Sequence, residues 1–433
     1  MSSNVSAAKL QEHVQYLCNT IGVRLAGSVG ECRAAEYVRD RAKEFVSDVV
    51  IEKFPVLERA ITSEVLEVEI DGQWQQFPAS LFGSAPSTGG KTLSGELVWF
   101  DSQGGYRRKD LSYLRGKAVV HLGCHIFEPE YYHALMAAEP AFLLFVDTRF
   151  PAKEMRADGL FPAYVKEFGA LPTMNVAFED ARQWHIKKAS RARLTVCGAS
   201  RPSESSNVII TIPGTDPEAG IVYVGGHIDT QAGTVGADDN AIGTAAVLEA
   251  ARILSGEKHR RTIKLCAFGA EEQLSVGSAA YVRRHRGEIE KNGVFMCNFD
   301  SFATVMGWTE LFVVGDDATV ATVDDSFQKR DIYAVIRRQI TPFVDNFSFS
   351  AANVPGMWVN RKDCEAGNFY HHRADNVPEN LDFAGAAVHV AAGVDIIRHY
   401  ADSRKSIAEL QILSAEQKNE ISSLWEAVYG GWQ

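Results

Sequence analysis

Residues 221–240 read IVYVGGHIDTQAGTVGADDN. The apolar run 221–224 predicts a buried strand that leads into a polar loop carrying His227. The loop ends in the acidic pair 238–239, where an apolar helix is predicted over 241–254. In open α/β sheets, binding sites lie outside the carboxyl ends of the strands. A histidine at a strand end and a carboxylate at the next helix start are therefore placed to share one metal ion.

Strands and helices alternate through the rest of the second half of the chain. The runs NVIITIPG, TIKLCAFGAEE, VFMCNFDSF and GMWVN predict further strands. Helices are predicted over 277–290, 324–339, 383–400 and 421–428. Such alternation favours right-handed crossovers within a parallel sheet. We therefore expect an α/β fold with a mixed, mostly parallel sheet flanked by helices.

The first half of the chain has a different pattern. Two helices are predicted, over 10–21 and 31–45, before the first strand. Residues 57–199 then contain short strand-like runs separated by turns rich in Gly, Pro and Ser. This block has its own size and pattern, so we interpret it as an inserted β-rich domain. The chain then divides into 1–56, the N-terminal part of the main domain; 57–199, the insert; and 200–433, the catalytic part.

The composition indicates an ordinary globular protein, with 46% hydrophobic and 23% charged residues. The net charge of −11 provides no overall basic field for nucleic acid or anionic lipid. No apolar run approaches the roughly 20 residues of a membrane span, and the N-terminus does not resemble a secretory signal. Seven cysteines without a short disulfide framework favour a reducing compartment. We expect a cytoplasmic protein that binds neither nucleic acid nor membranes.

Acidic or imidazole side chains follow three successive predicted strands. These side chains are His227 and Asp229, then Glu271 and Glu272, then Asp300. Strand ends in a parallel sheet face the same edge, so the side chains should converge. Asp239 and a histidine of the segment YHHRADN complete a ligand set that suits a pair of zinc ions. Adjacent side chains in extended backbone point apart, so one of two neighbouring glutamates can bind metal while the other acts as general base.

The motifs HID, GADDN, AEE, NFD and YHHRAD, in this order, resemble those of the co-catalytic zinc aminopeptidase family. That family includes bacterial leucyl aminopeptidases, plasma glutamate carboxypeptidase and the transferrin-receptor ectodomain. The spacing is also similar, for example 239 − 227 = 12 residues between His227 and Asp239. RLAGS near the N-terminus resembles the family's Arg-x-x-Gly-Ser motif. The resemblance implies a zinc exopeptidase fold, with residues 57–199 as a protease-associated domain.

The resemblance also implies a set of metal ligands. His227 and Asp300 would hold one zinc ion, Glu272 and His371 the other, and Asp239 would bridge the two. Family members carry an aspartate four residues after the last ligand, and Asp375 stands four residues after His371. We therefore favour His371 over the adjacent His372, which we place in the pocket wall or at the surface. The peptide bond between Asp239 and Asn240 is expected to be cis, as in the family.

Three further residues would take part in the reaction. Glu271 would be the general base, and Asp229 would orient the imidazole of His227. Tyr370 would donate a hydrogen bond to the oxyanion. The chain departs from the family where many members carry a Ser-Asp-His loop, because it reads DNFSFSAANVPG there.

Together these features predict a dinuclear zinc exopeptidase, specifically an aminopeptidase acting on short peptides or aminoacyl substrates. Manganese and cobalt are alternative metals. A carboxypeptidase, a dipeptidase or an N-acyl amino acid hydrolase would use the same site, with Arg361 or Arg373 as candidate carboxylate-binding residues. A non-enzymatic, receptor-like binding protein is the alternative from another class. The amphipathic helix predicted over 421–428 either caps the domain or forms a contact in a homo-oligomer.

Overall fold

The computed structural model describes residues 4–102, 104–149, 152 and 154–432. Its α-helices α1 to α13 are Ala7–Gln15, Val29–Ala42, Pro129–Ala137, Pro162–Phe168, Phe178–Ile186, Ile242–Leu254, Val276–Arg284, Arg286–Asn292, Asp317–Gln328, Asp345–Ala351, Phe383–Asp402, Ile407–Leu410 and Ala415–Tyr429. Its strands β1 to β14 are Val49–Ile70, Gln73–Phe77, Ala79–Leu81, Leu93–Phe100, Ala118–Leu122, Phe142–Val146, Thr173–Val176, Arg191–Ile212, Ile221–His227, Thr262–Phe268, Gly293–Phe299, Trp308–Val314, Val335–Arg337 and Gly356–Lys362.

The chain divides into two compact units. The first comprises Met1–Val56 and Ser203–Gln433, and the second is Leu57–Pro202. The insert predicted over 57–199 starts at the same residue and ends three residues earlier. The strands β1 and β8 each contain residues of both units, because each continues across a boundary.

The first unit is built on a mixed sheet with the strand order β13-β12-β14-β11-β9-β10-β8. The pairs β9–β10, β9–β11, β11–β14 and β12–β13 are parallel. The pairs β12–β14 and β8–β10 are antiparallel. The prediction of a mostly parallel sheet flanked by helices is therefore confirmed.

The apolar run at the start of β9 packs against a helical layer on each face of the sheet. Successive side chains of a strand point to opposite faces. Val222 and Val224 accordingly join a core cluster with residues of α1, α2, α6 and α11. Ile221 and Tyr223 join a second cluster with residues of α7, α8 and α10. A strand covered on both faces must be apolar throughout, which explains the continuous run in the sequence.

Two helix predictions need correction. The helix predicted over 324–339 is wrong, because α9 begins at Asp317 and ends at Gln328. Asp316 caps its start by accepting the N–H of Thr319, and Asp331 beyond its end has a positive φ of 58°. The helix predicted over 277–290 is divided into α7 and α8, which meet at His285. The strand β12 and the helix α10 were not predicted at all.

The second unit contains more strand than helix. The strands β4, β5, β6 and β7 form a parallel series, and β3 pairs antiparallel with β7. The short helices α3 and α4 lie between these strands in the chain, and α5 follows β7; none of the three was recognised in the sequence. The run NVIITI, predicted as a strand of its own, lies in the single strand β8, which begins within the insert at Arg191. None of the described helices is both long and apolar enough to cross a membrane.

Candidate metal centre

Three neighbouring parallel strands end together at one edge of the sheet. The strand β9 lies between β11 and β10, and His227 at its end pairs in register with Phe268 of β10. Asp300 directly follows β11, and a 3₁₀ turn, Glu271–Gln273, follows β10. Parallel strands thus bring the three predicted groups of side chains to the same edge, as expected.

The imidazole of His227 is fully buried among carboxylates. Its Nε2 lies 3.2 Å from Asp239 Oδ1, 3.6 Å from Asp300 Oδ1 and 3.8 Å from Glu271 Oε2. Its Nδ1 lies 3.4 Å from Asp229 Oδ1. Neither ring nitrogen makes a well-directed hydrogen bond. Two ligands about 2.1 Å from one tetrahedral ion lie about 3.4 Å apart, so the spacings from His227 Nε2 to Asp239 and Asp300 suit ligands that share a cation.

The second oxygen of Asp239 faces a different pair of imidazoles. Asp239 Oδ2 lies 3.0 Å from His371 Nδ1 and 3.3 Å from His372 Nε2. His372 Nε2 also lies 3.0 Å from Glu272 Oε2. The two imidazole rings stack with their centroids 3.6 Å apart. Because one oxygen faces His227 and the other faces these rings, Asp239 occupies a bridging position between two groups of ligands.

The backbone around Asp239 is held by the close approach of α6 to the strands. The Asp239–Asn240 peptide bond is cis, which confirms that prediction. Asn240 Nδ2 donates to Phe299 O at 2.9 Å, and its Oδ1 accepts the N–H of Gly243 at 2.9 Å. A Cβ atom at Gly243 would lie 2.2 Å from Phe299 O. Only glycine at this position therefore lets the helix start this close to the end of β11.

The two adjacent glutamates take different directions from a strained turn. The residues on either side of the turn, Ala270 and Leu274, have positive φ values of 52° and 67°. Asp229 accepts the N–H of Glu271 through Oδ1 and the N–H of Glu272 through Oδ2, both at 3.0 Å. Glu271 Oε1 accepts a hydrogen bond from Ser275 Oγ at 2.9 Å, whereas Glu272 faces His372. Asp229 therefore positions both glutamates, which the sequence did not indicate. It also faces His227.

Acidic groups outnumber basic ones in this buried region. The buried carboxylates belong to Asp229, Asp238, Asp239, Glu271, Glu272, Asp300 and Asp345. Burial raises the pKa of Asp238 to about 8, of Glu272 to about 7 and of Asp345 to about 7. Burial also raises the pKa of Glu271 well above its usual range. Buried carboxylates need positive partners, and the imidazoles here supply few, so the donor set fits bound cations.

Asp238 joins three ligand-bearing segments, which the sequence interpretation missed. Its Oδ1 accepts the N–H of Ala303 at 2.7 Å, beyond Asp300. Its Oδ2 accepts a hydrogen bond from Asn368 Nδ2, and its own N–H donates to Asn376 Oδ1 at 2.7 Å. Asn368 and Asn376 flank the two histidines. The only sequence signal was that Asp238 belongs to an acidic pair that becomes buried.

Arg24, from the RLAGS motif, holds the loop between His227 and Asp239. Its side chain is fully buried. Its guanidinium donates to the main-chain carbonyls of Leu17, Gly22, Ile228, Val235 and Gly236. Arg24 therefore holds the backbone of the loop between His227 and Asp239 in place.

The structure places the remaining predicted residues near the histidine pair. Tyr370 packs against Phe369, with ring centroids 5.6 Å apart, and its ring lies 5.9 Å from the guanidinium of Arg373. Asp375 accepts two hydrogen bonds from Arg373, at 2.8 and 2.5 Å. The aspartate that favoured His371 in the sequence thus binds an arginine.

Comparison with known proteins identifies the part of the chain that carries this centre. The model for peptidase family M28 matches residues 207–394. The matched segment contains every residue predicted for the metal site and for catalysis.

Proteins similar to this chain are described as aminopeptidases or as carboxypeptidases. The aminopeptidase YwaD of Bacillus subtilis is 27% identical over 312 residues, 69% of this chain and 63% of that protein. Carboxypeptidase Q of Bos taurus is 25% identical over 305 residues, 66% of this chain and 63% of that protein. The chain thus spans about 63% of the length of either relative. The crystal structure of BSAP, a zinc aminopeptidase from Bacillus subtilis, covers 96% of this chain and 99% of its own, with a TM-score of 0.76 and 18% identity. At that identity the similarity shows a shared fold.

Proposed function

We propose that this chain is a dinuclear zinc exopeptidase, and most specifically an aminopeptidase acting on short peptides. The observation that carries the proposal is the position of Asp239, whose two carboxylate oxygens face ligand groups on opposite sides. The buried general base, Glu271, lies beside one of these groups. His227 and Asp300 would hold one ion, Glu272 and an imidazole of the histidine pair the other, and Asp239 would bridge them.

The residues around the centre suit hydrolysis of a peptide bond. The chemistry that a bound zinc pair supplies is Lewis-acid activation of water and of the scissile carbonyl. Glu271 is buried, and its raised pKa suits a carboxylate that takes a proton from water and later gives it to the departing amine. Ser275 holds one oxygen of Glu271, which leaves Oε2 directed towards His227. Asp229 fixes the backbone of the base.

Substitution of the base provides the test. The wild-type protein should bind about two zinc ions per chain, and chelation followed by zinc should abolish and restore cleavage of aminoacyl anilides. Glu271→Gln should keep both ions and lose activity by a factor on the order of 10² or more. Glu290→Gln, at a partly exposed glutamate of α8 that pairs with Arg286, is the matched control and should behave as wild type. Full activity in zinc-loaded Glu271→Gln would show that Glu271 is not the base.

The state of one candidate carboxylate-binding residue, Arg373, supports our proposal for the direction of cleavage. Arg373 is 3% exposed and engages Asp375 through two hydrogen bonds, so its guanidinium is already committed to a carboxylate within the chain. This arrangement favours the aminopeptidase over the carboxypeptidase, although relatives of both descriptions exist. Cleavage of C-blocked but not N-blocked peptides would support it, and the opposite pattern would favour a carboxypeptidase.

The remaining expectations belong to the same proposal. We propose a cytoplasmic location, where the seven cysteines, none of which forms a disulfide, stay reduced. We further propose that the insert predicted over residues 57–199 is a protease-associated domain. Metal analysis would show whether manganese or cobalt takes the place of zinc. Light scattering would show whether the chain assembles into a homo-oligomer.

A further inference from the structure

The side chain of Glu31 is buried beside the turn that carries Glu271. Glu31 lies in the first turn of α2 and is 1% exposed. Its Oε1 accepts the N–H of Ala270 at 2.9 Å and the hydroxyl of Ser205 at 2.7 Å. Its Oε2 accepts the N–H of Gly27 at 2.6 Å. One carboxyl group therefore joins the N-terminal RLAGS motif, the strand β8 and the residue that precedes the proposed base.

The turn needs such support because its backbone is strained. Ala270, Leu274 and Ser275 have positive φ values of 52°, 67° and 49°, so three non-glycine residues within a short segment adopt left-handed conformations. Such conformations persist only where the surrounding structure holds them. Asp229 holds the N–H groups of the two glutamates. Glu31 holds the peptide directly before them.

The side chains of Glu31 and Asn207 approach the start of this turn closely. A Cβ atom at Gly269 would lie 2.7 Å from Glu31 Oε1. Asn207 Oδ1 accepts the N–H of Gly269 at 3.1 Å, and Asn207 Nδ2 donates to Gly277 O at 2.9 Å. Asn207 thus ties the start of the turn to its end, and Glu31 fixes the next peptide, which leads to the base.

Resting on the proposed function, we propose that Glu31 is a positioning residue for the general base Glu271. Its hydrogen bond to Ala270 fixes the plane of the peptide before Glu271, and a catalytic group must be held within about 0.5 Å of its working position. The reach of the side chain matters more than its charge. Burial raises the pKa of Glu31 to about 8, so this group is largely neutral at neutral pH.

Substitutions in the full, zinc-loaded chain test this role. Glu31→Gln keeps the length and one acceptor oxygen, whereas Glu31→Asp keeps the carboxyl group but is one methylene shorter. Glu31→Asp and Glu31→Ala should lower kcat roughly 10- to 100-fold and change KM less than about threefold, because a misplaced base weakens the chemical step. Glu31→Gln should be more active than Glu31→Asp. Glu36→Gln, at an exposed glutamate of α2, is the control and should behave as wild type.

Hydrogen exchange of the metal-free chain provides a second measurement, which depends on neither zinc nor activity. Mass spectrometry compares the amides of residues 269–276 with those of β11. In Glu31→Ala the turn should exchange at least about tenfold faster than in wild type, whereas β11 should exchange equally. Loss of protection in β11 would identify a variant that does not fold. Glu31→Asp then takes its place in both measurements.

The proposal makes three results incompatible with it. An unchanged kcat in folded Glu31→Asp and Glu31→Ala would leave Glu31 a purely structural residue. Unchanged exchange of residues 269–276 would show that Glu31 does not hold the turn. Higher activity in Glu31→Asp than in Glu31→Gln would show that charge, not reach, is what matters. A wild-type chain without zinc or peptidase activity refutes the proposed function instead, whereas an active wild type confines any failure to Glu31.

Discussion

Replacing Arg24 by lysine should destabilise the protein strongly, although the charge is kept. The guanidinium donates to five main-chain carbonyls at 2.7 to 3.3 Å, and the side chain is fully buried. An ammonium group has three donors, so at least 5 − 3 = 2 carbonyls lose their partner. A buried polar group left unpaired costs about 1–3 kcal/mol, which gives about 2–6 kcal/mol for two. Whole domains are stable by only about 5–15 kcal/mol.

Urea unfolding of the zinc-loaded protein, followed by tryptophan fluorescence, measures this loss. Arg33→Lys is the matched control, because Arg33 is an exposed arginine in α2 whose single described hydrogen bond is a 3.5 Å contact with Thr20 O. Its free energy of unfolding should stay within about 0.5 kcal/mol of wild type. If Arg24→Lys were as stable as Arg33→Lys, the carbonyl contacts of Arg24 would not support the loop as described.

Two further predictions concern other parts of the chain. Asn376→Ala should lower zinc affinity about 10–100-fold, because Asp238 loses the acceptor for its N–H. Competition with a chelator measures this affinity. The control Asn380→Ala removes one hydrogen bond to Asp375 O and should change the zinc affinity little. Burial lowers the pKa of His121 to about 4 in the folded chain. The folded chain should therefore be more stable above pH 6.5, where the ring is neutral, than at acidic pH, where the ring must be charged. Between pH 6.5 and 4 about 3 kcal/mol should be lost, and thermal unfolding of His121→Gln should show a correspondingly weaker pH dependence than wild type.

The parts of the site that follow strands could be predicted from the sequence. His227, Glu272 and Asp300 each stand at or just beyond the end of a strongly apolar run. A parallel sheet converts such local positions into neighbours in space without any knowledge of the loops. The mostly parallel sheet could be predicted for a second reason. A strand covered on both faces must be apolar along its whole length, and the sequence contains such runs.

The loop-borne parts could not be predicted in this way. Whether His371 or His372 approaches Glu272 depends on how residues 363–376 are folded. That conformation is set by Asn368 and Asn376, whose partner Asp238 stands more than a hundred residues earlier. Long-range side-chain contacts of this kind leave no periodic pattern in the sequence. The helix α9 was misplaced for a related reason: its cap at Asp316 and the positive φ of Asp331 are single-residue features.

The crowding of buried acids around Asp239 also has a consequence for the solution that surrounds the protein. Because burial raises the pKa of Glu272 to about 7, this proposed ligand carries a proton for part of the time at neutral pH when no cation is bound. A metal ion binds the deprotonated form of its ligands, so filling the centre expels that proton. Zinc uptake would acidify a weakly buffered solution, and acid would in turn compete with zinc for the same oxygens. Under the proposed function, the centre would exchange protons for metal ions.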